Sequence, residues 1–168
     1  MGLVFIASAT ASSSATLEFT SGIDSTYNEY QFQYVNMHPA TDGVDLGFQV
    51  NAAGASGFNE TITSTNFRAT HNEAGDTTSF TYDEDDGQAQ GTAYQSIGNY
   101  VGNDNDQACN GILTLYDPSS TTFVKHFVAR GASYLANDFA GESDAAGYIN
   151  TTLAIDGISF KFSSGNID

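Results

Sequence analysis

In Tyr30-Gln-Phe-Gln-Tyr-Val35 every second residue is aromatic, and in Val44-Asp-Leu-Gly-Phe-Gln-Val-Asn51 every second residue is large and apolar. Ile158-Ser-Phe-Lys-Phe-Ser163 repeats the pattern near the far end. A period of two places alternate side chains on opposite faces of a strand, so each series is a strand with one buried face. Phe32, Leu46, Phe48, Phe160 and Phe162 are the expected core residues, joined by Leu115 and Phe127 from two further apolar runs. Further strands are expected at Leu3–Ser8, Thr16–Phe19, Ile62–Phe67, Ser79–Tyr82, Gly111–Tyr116, Thr122–Ala129 and Tyr148–Ile155.

Turn chemistry separates these runs. Asp42-Gly43, Asp86-Gly87 and Asn110-Gly111 supply residues that tolerate positive φ. Asp117-Pro-Ser-Ser120 reads as a hairpin loop between the runs at 111–116 and 122–129. Asp156-Gly157 is either a two-residue turn or part of one continuous strand. No long helical period occurs, and Gln88–Ser96 could hold one or two helical turns. Short strands with frequent turns imply an all-β fold: an antiparallel β-sandwich of jelly-roll type, in a single domain over residues 1–168.

Twenty carboxylates face four basic residues, giving a net charge of −16. Arg68, Lys125, Arg130 and Lys161 are dispersed, so no basic patch exists to bind nucleic acid. The expectation is that the two strand lysines pair with carboxylates or project from the sheet. Cys109 is alone, which rules out an internal disulfide. Met1-Gly-Leu-Val-Phe-Ile-Ala-Ser-Ala-Thr-Ala11 lacks the basic start of a signal peptide and reads as a first strand. No apolar run reaches membrane-spanning length, and membrane insertion is not expected.

Asp83-Glu84-Asp85-Asp86 is the densest carboxylate cluster and the candidate Ca²⁺ site. The EF-hand spacing fails, and solvated acidic turns are the preferred reading of this loop and of Asn103-Asp-Asn-Asp106. His38, His71 and His126 are too scattered for a metal or a catalytic site. With no nucleophile elbow, P-loop or dinucleotide fingerprint, neither an enzyme nor an organic cofactor is expected. Tyr94 and Tyr100 are candidate sugar-stacking residues, weighed against surface turns.

Leu17-Glu-Phe-Thr-Ser-Gly-Ile-Asp-Ser-Thr-Tyr-Asn-Glu-Tyr30 and Leu113-Thr-Leu-Tyr-Asp-Pro-Ser-Ser-Thr-Thr-Phe-Val-Lys-His-Phe127 resemble a family of small β-sandwich virion proteins of bacteriophages, mostly marine. So do Gly147-Tyr-Ile-Asn-Thr-Thr-Leu-Ala-Ile-Asp-Gly-Ile-Ser-Phe-Lys-Phe162 and Ser163-Ser-Gly-Asn-Ile-Asp168. The resemblance implies a structural protein of the virion surface, made in the host cytoplasm, decorating the head or forming a small fibre knob. The alternative it leaves open is a tail-fibre module that recognises a host glycan. It implies self-association, as a homotrimer, and contact with other virion proteins. Leu3-Val-Phe-Ile6 and an unclosed C-terminal sheet edge are the expected contact surfaces, since the family usually continues into a closing strand beyond Asp168.

Overall fold

Each of the three alternating series forms a strand in the computed structural model, which describes residues 2–168. The order is β1 (Leu17–Phe19), β2 (Glu29–Met37), β3 (Val44–Ala52), β4 (Ile62–Asn72), β5 (Thr78–Tyr82) and β6 (Ala89–Gly91). It continues with β7 (Gln95–Val101), β8 (Cys109–Tyr116), β9 (Lys125–Leu135), β10 (Phe139–Ile149) and β11 (Ile155–Phe162). All pairings are antiparallel, and there is no helix among the described residues.

The strands form one hydrogen-bonded network that folds over itself into two layers. The larger layer runs β2-β8-β9-β10-β4, with β5 and β6 both paired to the outer side of β4. The smaller layer runs β1-β11-β3-β7, and a single bridge, Val101 to Leu135, joins the layers. Aromatic contacts fix how they face. Phe19 and Phe160 lie against Phe32 at 6.2 and 6.0 Å between ring centroids, which sets β1 and β11 over β2. Phe48 meets Phe127 edge-on at 5.0 Å, which sets β3 over β9. Leu46, Phe48, Leu115, Phe127, Phe160 and Phe162 are buried as expected, and Phe32 is half-buried against them.

β3 is buried on both faces. Gln49, on its outer side, is fully covered, and its amide donates to the carbonyls of Glu60, Thr92 and Ala93 at 2.9–3.2 Å. One buried amide thereby pins two loops across the sheet. A slot of different character lies over β8 and β9. Gly111 and Gly131 are register partners, and a Cβ on either would stand 2.3 or 2.6 Å from the Tyr34 hydroxyl. That hydroxyl donates across the sandwich to the carbonyl of Ile97 at 3.2 Å.

The differences from the sequence reading have physical causes. Leu3–Ser8 is not a strand: the segment joins no ladder, and β1 takes the edge of β11. Tyr148–Ile155 is divided between β10 and β11. β10 escaped detection over most of its length because its inward positions are Gly141, Ser143 and Ala145, small residues that give no apolar signal. Eleven register pairs to β9 and eleven to β4 hold it in place. Gln88–Ser96 forms β6 and the start of β7 rather than helical turns. Asp156-Gly157 lies within one strand, with a register irregularity between Ile155 and Gly157. The C-terminal residues are tied in: Ile167 is buried and bridges both Ser14 and Pro39.

Candidate functional site

The four acidic residues of the 83–86 loop point different ways. Asp83 pairs with Arg68 at 3.3 Å, Glu84 and Asp85 are exposed, and Asp86 turns inward. Asp86 accepts a hydrogen bond from the Asn99 amide, and its own carbonyl accepts from the Gln95 amide at 2.9 Å. The loop closes the open side of the sandwich between β4 and β7, where the core is polar. Ser143 donates to Asn99 at 2.7 Å, and the Asn66 amide donates to the carbonyl of Ser96 at 3.3 Å. Burial, with Asp45 and Asp83 nearby, pushes the Asp86 carboxyl up to about 6, against a partial pull downward from Arg68.

Such a carboxyl is a plug more than a ligand set. No three His, Cys, Asp or Glu side chains among the described residues are grouped to hold a metal ion. The second acidic loop is tied elsewhere: the Asn103 amide N–H donates to Asp42 at 3.1 Å, and Asp104 N–H to Gln107 at 3.0 Å.

Tyr94 immediately precedes β7, and Tyr100 lies within it. Tyr94 is half-buried, its hydroxyl donates to Ser159 at 3.0 Å, and the Lys161 ammonium sits 4.2 Å from its ring centroid. That cation covers one face of the ring. Tyr100 is exposed, adopts a φ of 50°, and rests its ring edge over Gly43. The pair is thus one covered ring and one open ring.

Sequence reasoning missed a shallow basin of about 480 Å³ on the outer face of the larger layer. Tyr134 and His71 stand on either side of Ala140, which pairs with both in the ladder. The Tyr134 hydroxyl donates to Glu73 at 2.9 Å and lies 3.5 Å from Asp138. The Glu73 hydrogen bond, burial, and the charges of Glu73, Asp138 and Asp106 push that phenol up to about 12. Asn72 and Asn137 extend the rim. The signal available in the sequence was the pair of strand-end turns at 72–77 and 135–139, whose meeting depends on β4 and β9 both pairing β10.

Cys109 is fully buried, and burial pushes its thiol up to about 12. His38 shares a 2.7 Å hydrogen bond with the carbonyl of Gln107, and His71 and His126 are exposed. Lys125 departs from expectation. It is fully buried, and its ammonium donates to the carbonyls of Phe123 and Thr151 at 3.1 and 3.2 Å rather than to a carboxylate. Burial pulls its pKa down, partly offset by Asp117.

Comparison with known protein families, with curated proteins and with solved structures found no match. No helix of the described residues is long and apolar enough to cross a membrane.

Proposed function

We propose that this chain is a non-catalytic structural subunit of a bacteriophage particle, displayed on the virion surface as a head decoration or small fibre knob. It acts as a homotrimer in contact with other virion proteins. One observation carries the reading: the segments that resemble the phage family, 17–30, 113–127 and 147–168, contribute strands to both layers of the core. The resemblance therefore falls on the framework rather than on one loop. The dense acidic surface supports it too, since it keeps a clustered subunit soluble and off nucleic acid.

Cryo-electron microscopy of purified particles tests this. The sandwich should appear at symmetry-related surface positions, and mass spectrometry should find the chain at fixed copy number per particle. A chain found in the lysate and absent from purified particles would defeat the reading.

The Tyr134 basin favours a second reading, recognition of a host glycan. An aromatic ring flanked by Glu73, Asp138 and Asn72 offers a stacking face beside hydroxyl acceptors. A glycan array should then give binding that Tyr134→Ala removes and Tyr100→Ala leaves intact.

A further inference from the structure

Two unpaired features lie on opposite flanks of the sandwich. On the β1 flank, Leu3 and Phe5 are 77% and 79% exposed, and Val4 and Ile6 are also open to solvent. No backbone–backbone hydrogen bond joins residues 2–11 to the rest of the described chain. This arm lies beside Gly22, where Ile6 approaches. On the other flank, β5 is the outermost strand, and all five of its residues are exposed. Phe80 is 78% exposed, with its ring 6.0 Å from Phe67 and with Tyr82 on the same face.

Each feature lacks what the other has. An apolar run with free amides seeks a strand edge, and a bare edge with an aromatic face seeks a strand. Charge selects the same pairing. Residues 1–17 contain no charged side chain and neither does Thr78–Tyr82, in a chain of net charge −16. Arm against edge is thus a contact between neutral surfaces of molecules that otherwise repel. The free edge of β2 competes poorly, because it carries Glu29 and turns Gln31 and Gln33 outward.

Geometry assigns the arm to a neighbour. β1 lies over β2, and β5 stands five strand spacings from β2, about 24 Å away. A molecule's own arm leaves on the wrong flank. We propose that residues 3–6 of one copy add as a strand to β5 of the next copy, head to tail, so that the copies close into a ring. Arm and edge on opposite flanks make the contact heterologous, and a heterologous contact that closes forms a cyclic oligomer. This concerns the self-association part of the reading above, and it can hold or fail whatever particle the chain belongs to.

Light scattering on the full chain in 0.5 M NaCl tests it, using Phe5→Asp as arm variant and Phe80→Asp as edge variant. Both positions are exposed, so circular dichroism should match wild type, and melting should fall only by the stability that assembly adds. Wild type should give three times the 17.8 kDa chain mass, and each variant should give one chain. An equimolar mixture should recover two chains and no more, since the edge variant's arm fits the arm variant's edge and nothing remains to propagate. Amide exchange gives an independent readout: Thr78–Tyr82 should be protected in wild type and lose that protection in Phe5→Asp. A wild-type monomer at low and high salt, an edge variant that stays assembled, or a mixture that stays monomeric would each overturn the proposal. So would a monomer whose arm binds neutral lipid vesicles, which would assign the arm to a bilayer.

Discussion

Two residues set the limits of the core. Tyr34 fills a slot that exists because Gly111 and Gly131 face each other without side chains. A methyl group at Gly131 would also stand 3.1 Å from the carbonyl of Ile97, so both the phenol and β7 would have to move. Gly131→Ala should therefore cost about 1–3 kcal/mol by overpacking, read as a lower urea midpoint at unchanged slope. Asp86 acts through its proton. Below 3.8 the carboxyl is protonated in both the folded and unfolded chain; between 3.8 and about 6 the fold keeps a proton that the unfolded chain has lost. The raised value thus makes the fold lose stability as pH rises through that window. Asp86→Asn keeps an acceptor for Asn99 without a charge. It should gain on wild type between pH 4 and pH 7 by about 1 kcal/mol, after allowing for solvent screening of a partly exposed group. A difference between the two proteins that does not change with pH would refute this account of Asp86.

Among the elements, β3 and β11 were legible and β7 and β10 were not, for one reason. In β3 and β11 the inward side chains are large and apolar, so alternation itself reveals the buried face. β7 and β10 face each other across the polar seam, where Ser143 meets Asn99, and hydrogen bonds replace apolar bulk. Sequence periodicity does not see a hydrogen bond between strands 44 residues apart. The Tyr134 basin was hidden likewise, because it depends on β10 bringing β4 and β9 together. The legible strands should dominate stability. Phe48 has no exposed surface and meets Phe127 edge-on, so Phe48→Ala should cost about 3–5 kcal/mol. Phe80→Ala, on the exposed edge strand, should cost a monomer almost nothing. Equal losses in thermal unfolding would mean that β5 contributes to the core, contrary to its exposure.

For the whole molecule, charge is the governing quantity. The surface is 8570 Å², so sixteen net charges leave about 540 Å² each, a spacing of about 23 Å. That exceeds the Debye length of about 8 Å at physiological salt and is shorter than the roughly 30 Å at 0.01 M. Self-repulsion is therefore felt in dilute buffer and largely screened above it. Raising NaCl from 0.01 to 0.5 M should raise the melting temperature, by about 2–4 °C for each kcal/mol of repulsion relieved in a domain of this size. Calcium separates screening from binding. A site that holds the ion in the folded state alone must add stability by mass action, beyond any ionic-strength effect. Asp83 is engaged by Arg68, Asp86 turns to Asn99, and Glu84 and Asp85 face solvent, so the loop presents no converged set of oxygens. Calorimetry at constant ionic strength should then give the same melting temperature in millimolar CaCl₂ as in NaCl with chelator. A shift of several degrees specific to Ca²⁺, abolished by Asp83→Asn, would restore the acidic loop as a metal site and require Arg68 to release its partner.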